Sequence, residues 1–417
     1  MIQSVRGTKD ILPEDAGLWQ FIEKKFSDVS HLYGYKEIRT PVFERTEVFS
    51  RSIGQGTDIV NKEMYTFTDK GGDSITLRPE MTAAMVRAVV QNSLLHNFPL
   101  IKLWYFGPFF RYERPQKGRL RQFHQYGAEC LGSAYPEADA ELIILADSLF
   151  KSIGISSYKL LLNTLGTEET RKNYVFELVR YLKSYKDQLS NDSRNRLESN
   201  PLRILDSKDE SDSEILKNAP VILEFLDNES KEHFENVITL VKESGINFEI
   251  SSYLVRGLDY YNHTVFEFQS NMLGAQDSFG GGGRYNNLIE QLGGPPTPAV
   301  GFALGIERLL MIIGQLNNFI DSNSNPHIYV VSPNHNNKKY AIAIAEKLRR
   351  RNLRVITDLN RRSLKSQMKD ANKNNVKYVV IAGDDEIKEH TVTIKNMENS
   401  EQCNISFDGI DNYDFDL

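Results

Sequence analysis

Two apolar segments in the first third of the chain flank a short basic loop. They are LIKLWYFGPFF (100–110) and FHQYGAECLG (123–132), and both are rich in residues that favour β-strands. The loop between them contains PQKG, a combination of proline and glycine that is typical of a turn. The pattern predicts an antiparallel hairpin with a long basic tip.

The tip of this hairpin carries far more positive charge than the rest of the chain. The formal net charge is −6 over 417 residues, so a site for a polyanion must be a local patch. Residues 110–129 contain five cations and two acids, namely Arg111, Arg114, Lys117, Arg119 and Arg121 against Glu113 and Glu129. Arginine binds phosphate through paired hydrogen bonds and keeps its charge. One interpretation is a polyphosphate site, and the alternative is a solvated charged hairpin.

Two aromatic and basic residues outside the tip also suggest a ligand. Phe123 lies between polar neighbours and could stack on a base. In AVGFALGIERLLMIIGQL (299–316) a strand precedes a helix, and Arg308 follows Gly305 by three residues. The helix dipole disfavours a cation in the first turn, which suggests that Arg308 faces an anion or a ring. The alternative is an ordinary exposed arginine.

A glycine cluster and a proline-containing helix start complete the local patterns. GGGGRY (280–285) does not match G-x-G-x-x-G, and no Walker A loop is present, so neither a Rossmann cofactor nor a P-loop is expected. The cluster predicts either a flexible turn or the floor of a ligand pocket. LRPEMTAAMVRAVVQNSLL (77–95) predicts a strand end and then a helix, with Pro79 and Glu80 in its first turn.

Changes in composition along the chain predict its domain organisation. A β-rich part is interrupted by polar segments with helical spacing, and strand-like segments then return. After FIDSNSN, a candidate linker, strands and helices alternate as in a small α/β domain. The predicted ranges are 1–165, a helical insertion at 166–245, a second β-rich part at 246–318, the linker at 319–325, and an α/β domain at 326–417.

Cysteine usage and hydropathy exclude some classes of protein. Cys130 and Cys403 are far apart, and neither a CxxC pair nor an HExxH segment occurs, so no protein-bound metal is expected. MIQSVRGTKD has no apolar core of the kind found in signal peptides. No apolar segment approaches the ~18 residues that span a bilayer. We therefore expect a cytoplasmic protein that does not associate with membranes.

Five ordered motifs together resemble the class II aminoacyl-tRNA synthetases, and closely resemble the histidyl-tRNA synthetase family. FRYE (110–113) resembles the second class motif, GFALGIERL (301–309) the third, and RTPVFERTEVF (39–49) the first. LVRGLDYYNHTVFEF (254–268) and GGGGRYNNL (280–288) resemble the histidine-specific signatures. The resemblance covers nearly the whole chain. Gly280, where relatives often have cysteine or alanine, and NNL in place of D-G-L are small departures.

The resemblance implies a fold and a reaction. The expected fold class is α+β, with an antiparallel sheet flanked by helices, a helical insertion and a C-terminal α/β anticodon-binding domain. Ranges 1–165 and 246–318 would then form the catalytic domain. The reaction would join histidine to ATP, giving histidyl-adenylate and pyrophosphate, and then transfer the histidyl group to the 3′ end of tRNA(His). Mg²⁺ would accompany ATP, and the first motif would build a homodimer.

The resemblance also assigns roles to individual residues. The residues implied for ATP are Arg111 at the α-phosphate, Glu113 at the adenine side, Arg119 at the outer phosphates, and Phe123 and Arg308 around the adenine ring. The residues implied for histidine are Glu80, Thr82 and Gln125 at the α-amino group, Glu129 and Tyr261 at the ring, and Tyr260 and Tyr285 as walls. Arg256 would lie near the histidine carboxylate and the α-phosphate and is therefore implied for histidine binding as well. Arg111 and Arg256 would be the catalytic residues.

For tRNA, Arg6 and Gln116 match positions that read the extra guanosine at the acceptor end. Segment 347–369 holds nine cations against Asp358 alone, which favours contact with RNA phosphates, although a solvated helix face is the alternative.

Two other functions share part of this pattern. A regulatory subunit of ATP phosphoribosyltransferase, related to the synthetases, binds histidine without acylating tRNA and lacks the C-terminal domain. Prolyl, threonyl and glycyl synthetases share a similar C-terminal domain. The presence of 326–417 and of Arg111, Arg256 and Arg308 speaks against the regulatory subunit, and LVRGLDYYNHTVFEF speaks against the other synthetases.

Overall fold

A computed structural model describes residues 1–54, 57–274, 277–316 and 326–417. It divides into two compact units, Met1–Ile320 and Asp321–Leu417. The predicted linker at 319–325 lies outside the described residues. Among the helices that are described, none is both long and apolar enough to cross a membrane.

The strands of the described residues form three sheets. In chain order they are β1 Lys36–Glu37, β2 Phe43–Arg45, β3 Tyr65–Thr68, β4 Ser74–Leu77, β5 Ile101–Phe110, β6 Gln122–Leu131, β7 Lys159–Thr164, β8 Glu249–Ile250, β9 Asn262–Gln269, β10 Ser278–Arg284, β11 Ala299–Gly305, β12 Ile328–Val331, β13 Val355–Thr357, β14 Tyr378–Ile381, β15 Thr391–Asn396 and β16 Gln402–Ser406.

The α-helices lie between and beside these strands. In chain order they are α1 Pro13–Leu32, α2 Thr46–Ser52, α3 Thr82–Gln91, α4 Leu94–Asn97, α5 Pro136–Ser152, α6 Glu168–Lys183, α7 Asn191–Ser199, α8 Glu210–Leu216, α9 Asn228–Glu243, α10 Leu288–Gln291, α11 Ile306–Leu316, α12 Lys338–Arg350, α13 Leu364–Lys373 and α14 Asp384–Lys388.

The largest sheet of the described chain has eight strands in the order β1-β5-β6-β11-β10-β9-β7-β8. The pairs from β5 through to β7 are antiparallel, whereas β1 and β8 join the two edges in parallel. Strands β5 and β6 pair from Ile101↔Leu131 to Phe110↔Gln122, which confirms the predicted hairpin. The α+β class with a mainly antiparallel sheet is therefore confirmed.

The two faces of this sheet have different surroundings. Tyr126, Ala128 and Cys130 of β6 belong to a buried cluster that also contains Ile22 and Phe26 of α1. Because successive side chains of a strand point to opposite faces, the odd-numbered residues of β6 point away from that cluster. The odd-numbered face carries the residues that sequence reasoning had singled out on this strand.

A helical region separates β7 from β8. Helices α6, α7, α8 and α9 lie within it. Each begins after a residue whose side chain accepts a backbone N–H of the first turn, and these residues are Thr167, Ser190, Asp209 and Asp227. Such caps satisfy amides that the first turn leaves free. The region is helical as the sequence indicated, and the domain boundaries at 166 and 245 stay a prediction.

The second unit is a separate α/β structure. Its described sheet has the order β13-β12-β14-β15-β16, in which β12, β13 and β14 are parallel and β15 and β16 are antiparallel. Val330, Ile344 and Leu348 lie in its buried core. The alternation of strand and helix predicted for this part of the chain is confirmed.

Candidate active site

The β5–β6 hairpin and α11 bring three arginines to one region. Nε of Arg111 donates to the carbonyl of Pro79 at 2.9 Å, and its guanidinium carbon lies 5.2 Å from the ring centre of Phe123. Nε of Arg308 donates to the carbonyl of Gly118 at the hairpin tip at 3.1 Å. Burial and then the charge of Arg119 lower the pKa of Arg308. An anion bound here would offset that unfavourable concentration of positive charge.

The hairpin tip is narrow, and part of its positive charge is neutralised by an acidic residue. Gln116 and Arg119 exchange two backbone hydrogen bonds, at 3.1 and 2.9 Å. A guanidinium nitrogen of Arg119 lies 3.2 Å from a carboxylate oxygen of Glu113. The side chains of Arg119 and Glu113 therefore lie in the same region as Arg111, at the turn that the sequence predicted. Arg308 lies in the first turn of α11, as predicted.

A buried carboxylate connects three segments that are distant in sequence. Glu129 is 1% exposed, and it accepts hydrogen bonds from Oγ1 of Thr82 at 2.8 Å and from the hydroxyl of Tyr285 at 2.5 Å. Burial raises the pKa of Glu129 to about 8. The geometry offers a polar ring one strong acceptor inside an otherwise aromatic pocket.

This raised pKa predicts a change of stability with pH. The folded protein keeps the Glu129 proton between the ordinary carboxyl pKa and about 8, whereas the unfolded chain releases it. Stability from this group is therefore lost as pH rises through that window, by at most about 1.4 kcal/mol per pH unit. Relative to Glu129→Gln, the wild-type free energy of unfolding in urea should fall from about pH 5 to about pH 8. Parallel curves for the two proteins would contradict this assignment.

The segment before α3 differs from the sequence expectation. Pro79 and Glu80 were predicted in the first turn, but α3 begins at Thr82. The Glu80 carboxylate instead accepts the backbone N–H groups of Thr82 at 2.7 Å and Ala83 at 2.9 Å from outside the helix. The prediction was wrong because Glu80 lies before the N-cap residue Met81 and caps the first turn with its side chain, and it thereby fixes Thr82 beside Glu129.

Aromatic rings enclose the space around Glu129. The ring centres of Tyr260 and Tyr261 are 4.7 Å apart, and those of Tyr260 and Tyr285 are 5.6 Å apart. All three side chains are buried. Tyr105, which sequence reasoning missed, is buried as well, and the charge of Glu129 contributes to its raised pKa after the larger effect of burial. Its only sequence signal was a polar hydroxyl within an apolar strand.

The glycine cluster forms strand β10 and so is not a flexible turn. Gly280 to Gly283 pair with β9 on one side and with β11 on the other. A Cβ atom at Gly281 would lie 3.0 Å from the guanidinium of Arg256, and one at Gly283 would lie 3.0 Å from the ring of Tyr261. Small residues here leave room for both side chains, which supports the pocket-floor interpretation.

Arg256 is held in place by a carboxylate that the sequence reading overlooked. Its guanidinium forms an ion pair with Glu267 of β9, and both side chains are largely buried. The Nε atom of Arg256 and the Oε1 atom of Gln125 are buried without a hydrogen-bond partner among the described residues. A charged residue within the apolar strand segment TVFEF was the available signal for Glu267.

The residues expected to contact tRNA lie in the N-terminal segment, at the hairpin tip and in the second unit. Arg6 is exposed, and the carbonyl of its neighbour Gly7 accepts the N–H of Arg121 at 2.7 Å, so the N-terminal segment lies along the hairpin. In the second unit, several cations of 347–369 have internal partners. Described examples are Lys347 with Asp411, Arg351 with the carbonyl of Ile410, and Arg362 with Asp358 and Asp370. Less of this charge is free for RNA than the sequence alone suggested.

Comparisons with known proteins agree with this geometry. A family model described as histidyl-tRNA synthetase matches residues 7–309, and one described as anticodon binding domain matches residues 327–413. The histidine–tRNA ligase of Marinomonas is 47% identical over 99% of this chain and 98% of that protein. The histidine–tRNA ligase of Crocosphaera subtropica is 48% identical over 96% of this chain and 92% of that protein.

A solved structure agrees over the same length. The crystal structure of apo S. aureus histidyl-tRNA synthetase has a TM-score of 0.84 and 37% identity, and the match covers 99% of each chain. The family model alone covers well over half of the present chain. The chain belongs to the histidyl-tRNA synthetase family.

Proposed function

We propose that this chain is a histidine–tRNA ligase that activates L-histidine with ATP and then esterifies tRNA(His). The observation that carries the proposal is the buried Thr82–Glu129–Tyr285 hydrogen-bonded cluster beside Tyr260 and Tyr261. It joins a polar acceptor to aromatic walls, which suits an imidazole ring. A site built around buried polar partners rejects an analogue that lacks the ring nitrogens, because those partners are then left unpaired.

The protein would orient histidine by binding both its imidazole ring and its α-amino group. Glu129 and Tyr261 would bind the ring, with Tyr260 and Tyr285 as walls. Glu80, Thr82 and Gln125 would bind the α-amino group. The buried Oε1 of Gln125 supports this role, since it is an acceptor that no described residue supplies with a hydrogen bond. Gln125 is paired across the sheet with Gly107 and Gly305, which have no side chains.

ATP would lie along the hairpin. Arg111 would bind the α-phosphate, and its anchoring to the Pro79 carbonyl supports a fixed orientation. Phe123 and Arg308 would hold the adenine ring between them, Glu113 would face its polar edge, and Arg119 would reach the outer phosphates. ATP would enter as its Mg²⁺ complex, and its own phosphate oxygens are the hard ligands that this ion prefers.

The chemistry needs no covalent enzyme intermediate. In the first step a carboxylate oxygen of histidine attacks the α-phosphorus, a new P–O bond forms, and pyrophosphate leaves. In the second, a hydroxyl of the terminal ribose attacks the histidyl carbonyl and AMP leaves. Arg111 and Arg256 would stabilise the charge on the phosphoryl oxygens, so catalysis consists of positioning and electrostatic stabilisation.

Partners beyond the active site follow from the family. Arg6 and Gln116 would contact the acceptor end of tRNA(His), and residues 326–417 would contact the anticodon. A homodimer through the first motif is supported by Phe43 and Phe67, which are 53% and 49% exposed on the small sheet β2-β4-β3. A cytoplasmic location is proposed from the family alone.

Histidine-dependent exchange of labelled pyrophosphate into ATP tests the function directly. We expect exchange with histidine and none above background with proline, threonine or glycine. Charging of tRNA(His) should follow under the same conditions. A chain that binds histidine but shows no exchange would be a regulatory relative, and equal exchange with proline or threonine would mean another synthetase; either result overturns the proposal.

A further inference from the structure

One segment that carries three of the eight residues proposed to bind histidine is not a regular strand. Residues 251–261 connect β8 to β9 and include Arg256, Tyr260 and Tyr261. This segment has no sheet ladder of its own to fix its position. Other parts of the chain must therefore hold it. Nδ2 of Asn163 in β7 donates to the carbonyl of Leu254 at 3.0 Å, and Glu267 of β9 pairs with Arg256. The helical insertion supplies further contacts close to the two tyrosines.

Asp259, the residue immediately before the two tyrosines, is the point at which these contacts meet. Its backbone N–H donates to the carbonyl of Ile53 at 3.1 Å. Its own carbonyl accepts from a guanidinium nitrogen of Arg171 at 3.0 Å. One carboxylate oxygen accepts from Nδ2 of Asn200 at 3.0 Å. Two of these three partners, Arg171 in α6 and Asn200 after α7, belong to the insertion.

Arg171 also contacts the backbone of a residue that lines the pocket. The same guanidinium nitrogen also lies 3.3 Å from the carbonyl of Tyr261. One side chain thus binds the backbone on both sides of Tyr260. Arginine suits this position because its planar fork of donors is rigid and always charged.

A third contact comes from the short turn after α7. A Cβ atom at Gly257 would lie 2.8 Å from a guanidinium nitrogen of Arg203, so the insertion lies directly on the residue that follows Arg256. Arg203 is in turn connected to α7, because its carbonyl accepts a hydrogen bond from Arg196 at 3.4 Å. The insertion therefore contacts the segment both beside Arg256, at Gly257, and beside the two tyrosines, at Asp259.

We propose that the helical insertion positions the histidine-binding segment, with Arg171 and Asn200 as positioning residues that act through Asp259 on Tyr260 and Tyr261. The inference rests on the proposed function, because it assumes that these tyrosines bind histidine. Neither residue touches substrate in this scheme. Their loss should therefore weaken histidine binding more than ATP binding.

Arg171→Ala tests the proposal in pyrophosphate exchange with the full chain. We expect the KM for histidine to rise about tenfold, the effect of losing two hydrogen bonds that order a pocket, with the KM for ATP changed less than about twofold. Arg171→Lys keeps one charged donor group, so its KM for histidine should lie between those of Arg171→Ala and the wild type. Arg180→Ala is the matched control. This exposed arginine of the same helix forms an ion pair with its neighbour Glu177, and its loss should leave both KM values unchanged.

Asn200→Ala keeps the test decisive if Arg171→Ala fails to fold. It removes a single side-chain hydrogen bond at the insertion and should raise the KM for histidine about threefold. In an Asp259→Ala background, Asn200→Ala should not change the KM for histidine further. The carboxylate through which Asn200 acts on the tyrosines is then absent. An unchanged KM for histidine in folded Arg171→Ala or Asn200→Ala, or equal rises for histidine and ATP, would overturn the inference. If the proposed function itself were wrong, the wild-type protein would show no histidine-dependent pyrophosphate exchange.

Discussion

Replacing Arg256 with alanine is expected to slow histidyl-adenylate formation by about 10³-fold, while histidine affinity changes by less than about tenfold. The guanidinium is largely buried and oriented by Glu267, and its Nε has no partner among the described residues. Fixed donors that face a developing negative charge in a site sheltered from water contribute most in the transition state. Rapid-quench single turnovers with excess enzyme would measure the adenylation rate, and titration with histidine alone would measure affinity.

Arg256→Lys separates charge from geometry. Lysine keeps the positive charge but lacks the planar fork, so it should recover only part of the lost rate. Glu267→Gln keeps Arg256 but weakens the ion pair that orients it, and a smaller loss of rate is expected. If Arg256→Ala raised the dissociation constant for histidine as strongly as it lowered the rate, Arg256 would be a binding residue and the catalytic assignment would be wrong.

The hairpin shows how far sequence reasoning can reach. The predicted strand at 123–132 implies that Phe123, Gln125 and Glu129 share one face, because a strand has a period of two whatever the rest of the fold does. The basic tip followed from composition in the same way. These features are local, so local patterns predict them.

The contacts that organise the site are not local, and the sequence predicted fewer of them. The ion pair of Arg256 with Glu267 depends on how an irregular segment returns to β9. The hydrogen bond from Arg171 to Asp259 joins residues that are 88 positions apart. For GGGGRY, glycine permits both a turn and a strand, and only the pairing with β9 and β11 decides between them. Pro79 was misplaced because a capping carboxylate can lie outside a helix as well as within it.

The pocket is made as much by absent side chains as by present ones. On the functional face of the sheet, a Cβ at Gly127 would lie 2.2 Å from the Tyr105 hydroxyl, and one at Gly301 would lie 1.5 Å from a carboxylate oxygen of Glu129. Real Cβ atoms do not approach other atoms so closely. Glu129 can therefore occupy its place between Thr82 and Tyr285 only because β11 has no side chain opposite it.

Gly301→Ala should consequently remove histidine use although it alters no polar group. The added methyl would force the Glu129 carboxyl group away from Thr82 and Tyr285, and we expect the KM for histidine to rise more than about 100-fold, the effect of losing a buried acceptor together with its oriented partners. ATP binding, measured by titration in the absence of histidine, should change little, because the ATP contacts lie on the hairpin and α11. The matched control is Gly314→Ala in α11, where a Cβ would meet nothing within 4 Å. That change should leave exchange intact and raise the free energy of unfolding by about 0.5–1 kcal/mol, since alanine favours a helix interior. A Gly301→Ala protein with a normal KM for histidine would show that Glu129 can move without loss, and the ring would then be recognised elsewhere in the pocket.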